Sequence, residues 1–107
     1  MAIVLKKSST FVRDVEVFNT DNTRGTLTVT YHYFDRAAVE ALTKEEHTDV
    51  ELFKRIVKDV AGMLDENNKP HPPEVQFEEA LSNLAWTKAI TERFLNELVG
   101  AGRKNSR

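Results

Sequence analysis

The stretch from residue 49 to residue 73, DVELFKRIVKDVAGMLDENNKPHPP, constrains the fold most, because it joins an apolar periodicity to a turn. Its apolar residues recur at the spacing of one helical face: Leu52, Phe53, Ile56, Val57 and Val60. The pattern predicts a helix from about Thr48 to Ala61. The carboxylate of Asp49 can cap its start, and Gly62 stands just past its last periodic residue, where helices commonly end.

The second half of this stretch predicts a turn followed by a new helix. Residues 65–70, DENNKP, have the composition of a turn. Proline is tolerated in a first helical turn, so Pro72-Pro73-Glu74 favours a helix start. We expect one helix from Pro73 to Leu84, a break at Asn83 and a last helix from Ala85 to Val99. Their predicted inward residues are Phe77, Ala80, Leu81 and Leu84 in the first, and Trp86, Ala89, Ile90, Phe94 and Leu98 in the second.

The N-terminal third predicts a β-hairpin. The segment from Phe11 to Phe18 is rich in β-branched and aromatic residues, and residues 19–25 form a turn cluster. From Thr26 to Tyr33 the pattern alternates, with Leu27, Val29, Tyr31 and Tyr33 on one face. A two-stranded hairpin is marginal alone, so it must pack on helices or on another subunit. Its free edges invite strand pairing, which suggests a homo-oligomer.

Between the hairpin and the stretch at residue 49, Asp35 is predicted to cap a short helix, RAAVEAL, and Thr43–Glu46 matches a capping box. The sequence thus predicts an α+β fold, an N-terminal β-hairpin followed by a mainly α-helical domain of about four helices. We expect a single domain over residues 1–100 and a flexible basic tail over 101–107.

Charge and composition limit the classes of molecule that the chain is expected to bind. Residues 34–100 hold 8 basic and 14 acidic side chains, whereas residues 101–107 hold three basic ones. An acidic body argues against nucleic-acid binding, which needs a basic face. No apolar run is long enough to cross a bilayer, and the lysines of MAIVLKKSST follow its apolar residues, the reverse of a secretory signal. We therefore expect no membrane association and a cytoplasmic location.

The sequence offers little chemistry. With no cysteine, thiol catalysis, disulfides and zinc–thiolate sites are excluded. His32, His47 and His71 share no ligand spacing, and the paired acidic residues are sequence neighbours whose side chains diverge on a helix. No phosphate-binding loop is present. We predict no catalytic, cofactor-binding or metal-binding residue, and favour a core role over a pocket for Trp86.

The chain nevertheless resembles a known family. Its features, in order, are a hairpin, the pattern D-x-x-L-F-x-x-I-V-x-x-V, an Asp-Glu-Asn turn, a proline-led helix, an aromatic-rich helix and an Arg-Lys-Asn tail. This order resembles the tail assembly chaperones of long-tailed bacteriophages. The matching stretches are DVELFKRIVKDVAGMLDENNKPHPPEVQFEEAL and GAGRKNSR.

The resemblance implies a non-enzymatic chaperone in the host cytoplasm that is absent from the mature virion. Such proteins bind the long, largely helical tape measure protein and keep it soluble until tail tube subunits assemble around it. In many phages a ribosomal frameshift makes a longer product, whose extra C-terminal part recruits the tail tube protein. An A-rich slippery run could encode Arg103-Lys104-Asn105.

Partly exposed apolar groups on the predicted helices are the candidate partner-binding residues: Leu52, Phe53, Ile56, Leu95 and Val99. A core role is the alternative for all five, and the sequence favours it for Phe53 and Ile56. Two other functions stay open. One is a small structural or connector protein of the virion, and the other is a cytoplasmic regulator or antitoxin-like module that binds DNA.

Overall fold

A computed structural model describes residues 2, 4 and 8–97 of the chain. The three strands are β1 (Thr10–Phe18), β2 (Arg24–His32) and β3 (Val57–Ala61), and the four helices are α1 (Arg36–Lys44), α2 (Asp49–Ile56), α3 (Pro73–Ser82) and α4 (Leu84–Leu95). The predicted α+β class, a hairpin followed by four helices, is confirmed. The sheet is antiparallel in the order β1-β2-β3.

The hairpin has the predicted alternation. Its core face carries Val15, Val17, Leu27, Val29 and Tyr31, all buried. Val12 and Phe18 lie half-exposed on the opposite face. The inward placement of Tyr33 is wrong, since β2 ends at His32 and Tyr33 is 60% exposed. Phe34 packs inward instead, with its ring edge-on to Phe94 at 5.7 Å.

The long helix predicted from Thr48 to Ala61 is half wrong, because its second half is the strand β3. Val57 and Val60 are three residues apart, which in a regular strand would place them on opposite faces. A register shift opposite Thr30 and Tyr31 leaves Lys58 as an extra residue, so Val57 lies opposite Tyr31 and Val60 opposite Val29. Both valines are therefore buried. The bulge gives a strand the apolar spacing of a helix.

The helix starts agree in part with the predictions. Asp35 caps α1 as predicted, with its carboxylate accepting from the Ala38 amide at 2.9 Å. The capping box predicted at Thr43–Glu46 is wrong, because Thr43 lies inside α1. The box is at the start of α2, where Thr48 and Glu51 exchange side-chain and backbone hydrogen bonds of 3.0 and 3.1 Å. Thr48, and not Asp49, is the cap.

The helices α3 and α4 are separated by Asn83, as predicted. The Asn83 side chain caps α4 by accepting from the Trp86 amide at 3.2 Å. Since Leu84 begins α4, it does not follow the phase of α3, and its predicted inward position is wrong: it is 63% exposed. The buried Thr87 hydroxyl donates to the Ala80 carbonyl at 2.8 Å, which satisfies an unpaired carbonyl at the end of α3.

The core lies between the sheet and α2, α3 and α4. Tyr31, Phe11 and Phe94 have ring centroids 5.3 to 6.3 Å apart. The Tyr31 hydroxyl donates to the Ile90 carbonyl at 2.8 Å, and burial raises the pKa of that hydroxyl. Helix α4 runs antiparallel to β1. Trp86 near its start bonds to Phe18 at the end of β1, and Glu97 just past its last residue bonds to Arg13. The predicted inward residue Leu98 and the predicted tail 101–107 lie outside the described residues.

Candidate functional site

A groove of about 340 Å³ lies where the turn end of the hairpin meets the segment after β3, the outer side of α3 and the start of α4. It is lined by Val17, Asn19, Gly25, Thr26, Leu27, Gly62, Met63, Leu64, His71, Val75, Glu79 and Trp86. Both apolar and polar side chains line it. It is more enclosed than the depression beside α2, which is lined by Glu45, Glu46, His47, Glu51, Lys54 and Arg55.

One buried polar side chain fixes the loop wall of this groove. Gln76 lies on α3, its Oε1 accepts from the Met63 amide at 2.8 Å, and its Nε2 donates to the His71 carbonyl at 2.7 Å. The His71 amide also donates to the Met63 carbonyl at 3.1 Å. Residues 63–71 are thus closed into a loop and attached to α3. Gln76 was not among the predicted site residues. Its signal in the sequence is its position four residues before Ala80, on the face of α3 that is buried.

The loop itself is the predicted turn at residues 65–70. The Asp65 carboxylate accepts from the Asn67 amide at 2.8 Å and from the Lys69 amide at 3.0 Å. These backbone bonds, the one from Lys69 first, hold the pKa of Asp65 below its ordinary value. Asn68 adopts φ = +61°, a left-handed conformation that asparagine tolerates. The turn is therefore shaped by its own side chains and presents Leu64 at 56% exposure.

Glycine is required where the groove meets the sheet. Gly62 has φ = +112°, and a Cβ there would lie 2.8 Å from the Thr26 carbonyl oxygen. At Gly25, which faces the same space from β2, a Cβ would have no neighbour within 4 Å. The first glycine allows close backbone approach, whereas the second leaves open volume.

Trp86 closes the hairpin side of the groove and bonds to the sheet edge. Its Nε1 donates to the Phe18 carbonyl at 2.8 Å. The Tyr33 amide donates to the Ser9 carbonyl, so the odd-numbered residues of β1 form the hydrogen-bonded pairs with β2. The even-numbered residues of β1 therefore direct their N–H and C=O groups away from β2. Arg13 Nη1 occupies a second outward carbonyl, that of Val12, at 2.8 Å. Because β3 covers β2, the free edge of the hairpin is β1, and it is partly protected against pairing.

The surface around the groove is acidic. Residues 63–82 contain five carboxylates and one lysine. Glu79 lines the groove, and Asp65 and Glu66 lie beside it in an adjoining depression that shares Leu64 and His71. A basic ligand would therefore be attracted to this side of the molecule.

The opposite end of α4 is closed by an ion cluster. Arg13 forms two hydrogen bonds of 3.0 Å to the Glu97 carboxylate, and Arg93 adds one of 2.7 Å. These bonds, that of Arg13 foremost, lower the pKa of Glu97 to about 2. The cluster fastens the end of α4 to β1.

Two of the five predicted partner-binding residues lie in the core and not on a surface. Phe53 and Ile56 are fully buried, so their assignment to a contact surface is corrected to the core role that the sequence favoured. The ring of Phe53 packs edge-on to that of Phe77 in α3, with centroids 5.1 Å apart. Leu52 and Leu95 are partly buried against the core. Val99 lies outside the described residues.

The histidines are in separate elements, as their spacing suggested. His71 lines the groove, and a ring nitrogen of His47 lies 3.0 Å from the Leu42 carbonyl. Across residues 8–97 no group of three or more histidine, aspartate or glutamate side chains is placed to hold a metal. None of the described helices has the length and apolar character needed to traverse a bilayer.

Comparison of the chain with models of protein families, with curated proteins and with solved structures finds no match.

Proposed function

We propose that this chain is a tail assembly chaperone of a long-tailed bacteriophage, a non-enzymatic protein that binds the tape measure protein and keeps it soluble. The proposal starts from the resemblance carried by residues 49–81. One observation favours it among the alternatives: this same stretch supplies the loop and helix walls of the groove, from Gly62 to Glu79. The segment that suggests the family is thus also the segment that lines most of the groove outside the hairpin.

The character of the groove suits a holding protein. A helix whose apolar face is exposed to solvent promotes aggregation. A groove lined in part by apolar side chains can cover a short part of that face. About 340 Å³ accommodates a few side chains, so each contact would be weak and reversible. Many copies along one long polypeptide would then give avidity without tight single sites. Such binding allows the tail tube to displace the chaperone.

The remaining parts of the proposal concern the assembly. A longer frameshifted product would recruit tail tube subunits, and this chain would hold the tape measure protein in the host cytoplasm. The protein would be a homo-oligomer, and the outer edge of β1 is the part of the hairpin open to another copy. It would bind neither nucleic acid nor membrane, and it would be absent from finished particles.

The proposal is tested by co-expression. The chain carries an N-terminal tag and is expressed with the tape measure protein of its own gene cluster. We expect the two to co-purify, and we expect the soluble fraction of the tape measure protein to fall sharply when the chain is omitted. Mass spectrometry of purified particles should find none of the chain.

Other outcomes separate the alternatives. Retention in purified particles, with no effect on the solubility of the tape measure protein, would identify a structural or connector protein. Recovery of DNA with a steep loss of binding at higher salt would identify a regulator. A tape measure protein that stays equally soluble without the chain would overturn the chaperone proposal.

A further inference from the structure

We propose that the groove between the hairpin turn and α3 docks an amphipathic helix of a partner protein, one whose apolar stripe is flanked by lysine or arginine. The inference rests on the proposed function and deepens it, since it assigns the partner-binding surface and the chemistry of the segment bound there. It assigns a surface other than the one predicted from five residues, of which Phe53 and Ile56 are buried: Leu52, Phe53, Ile56, Leu95 and Val99.

The walls provide the apolar contact. Val75 is 39% exposed in the first turn of α3, and Leu64 is exposed on the facing loop. Met63 and Trp86 are partly buried and line the same space. Tryptophan is enriched among residues that dominate binding energy, because it combines a large apolar surface with a polar edge. Here the polar edge is already bonded to Phe18, so no unpaired donor would be buried on binding.

The carboxylates around the groove determine which kind of helix can bind there. Glu79 is in the wall, Asp65 and Glu66 border it, and α3 carries no basic residue. A helix with flanking lysine or arginine complements these carboxylates, whereas an acidic helix would be repelled. Interactions of this kind steer association and weaken as salt rises.

The groove is held open before a partner binds. Gln76 fixes the loop wall, Gly62 allows the loop to approach β2, and Gly25 leaves the floor without a side chain. A preformed site avoids part of the ordering cost of binding. It also offers a position where a new side chain would fill the groove, because a Cβ on Gly25 has no neighbour within 4 Å.

The test uses Trp86 as a reporter, since it is the single tryptophan of the chain. Overlapping peptides of about 25 residues, about seven helical turns, are made from the tape measure protein of the same gene cluster, and those without tryptophan are titrated into the full chain. We expect a blue shift of the emission for peptides that combine an apolar stripe with basic flanks. Raising the salt from about 0.05 M to about 0.5 M should weaken their binding.

Matched variants locate the contact. Val75→Ser should weaken binding about tenfold, whereas Val50→Ser should leave it within about twofold. Val50 is 43% exposed in the first turn of α2, away from the groove, so the two changes are alike in chemistry, exposure and helical position. Gly25→Phe should abolish binding by filling the groove. Circular dichroism melts establish that each variant is folded.

The outcomes distinguish this inference from the proposed function. If the intact tape measure protein co-purifies while Val75→Ser and Gly25→Phe bind like the wild type, the groove is not the contact and only this inference fails. If the wild type neither co-purifies with the intact tape measure protein nor binds any of its peptides, both this inference and the proposed function fail. If Trp86 emission shifts with the concentration of the chain alone, a second copy occupies the groove and the inference is overturned.

Discussion

The two ends of α4 meet the sheet in opposite ways. At its C-terminal end, Phe94 lies in an aromatic cluster and Glu97 is held by two arginines. At its N-terminal end, Trp86 borders an open groove whose far wall presents Val75 and Leu64. The first end buries its apolar side chains, whereas at the second end apolar side chains remain exposed to solvent. The difference suggests that substitutions at the first end change stability and those at the second change binding.

The largest effect is expected at the closed end. Phe94→Ala removes a fully buried aromatic side chain that contacts Tyr31, Phe11 and Phe34. We expect the free energy of unfolding to fall by about 4 kcal/mol, measured by urea denaturation. The control is Phe18→Ala, the same change at a half-exposed ring, with an expected loss of about 1 kcal/mol or less. Equal losses would mean that the aromatic cluster does not form.

The backbone at the open end is expected to be nearly as sensitive. Gly62→Ala places a Cβ 2.8 Å from the Thr26 carbonyl oxygen at a φ that alanine disfavours, so we expect a loss of about 2 to 3 kcal/mol. Gly25→Ala is the matched control and should be nearly neutral, because its Cβ meets nothing within 4 Å. Thermal melts of the two variants measure the difference. A tolerated Gly62→Ala would contradict the close approach of the loop to β2.

A third substitution tests whether the groove has a fixed shape. Gln76→Ala leaves the Met63 amide and the His71 carbonyl without their side-chain partner, at a cost of about 2 kcal/mol. Amide exchange at Met63 should accelerate more than exchange in β1. Glu78→Ala, an exposed change on the same helix, should alter neither stability nor exchange. Unchanged exchange at Met63 in Gln76→Ala would mean that the wall is held by other groups.

The sequence predicted the hairpin and the helix breaks because their signals are local. The alternation of apolar residues in the strands, and the caps that Asp35 and Asn83 form on their helices, depend only on residues close in sequence. The strand β3 was missed because Val57 and Val60 repeat at a helical interval, and only pairing with β2 across a bulge makes that spacing compatible with a strand. The groove was missed for the same reason, since its walls come from elements that meet only in the fold. Trp86 was expected in the core, and it packs there on one side while it lines the groove on the other.

The smallest expected effect is at the ion cluster of Arg13, Arg93 and Glu97. Its contribution to stability should depend on pH. Glu97 has a pKa of about 2, below the ordinary value of about 4.3 for glutamate, because Arg13 and Arg93 bond to its charged form. A lowered pKa adds stability that is fully present above the ordinary value and is lost as pH falls towards about 2. Since the cluster is about one-third exposed, we expect Glu97→Gln to cost only about 1 kcal/mol at pH 7.

This cost should shrink between about pH 4.5 and pH 2, where the wild-type carboxylate becomes protonated, as measured by urea denaturation at each pH. Glu92→Gln is the control in α4, at an exposed carboxylate that forms no ion pair with another described residue. Its cost should be near zero throughout. Binding of a helix in the groove should be unchanged by Glu97→Gln at pH 7, because Glu97 lies at the far end of α4 from Trp86. A loss of binding without a loss of stability would show that the two ends of the helix are coupled and would break the division between them.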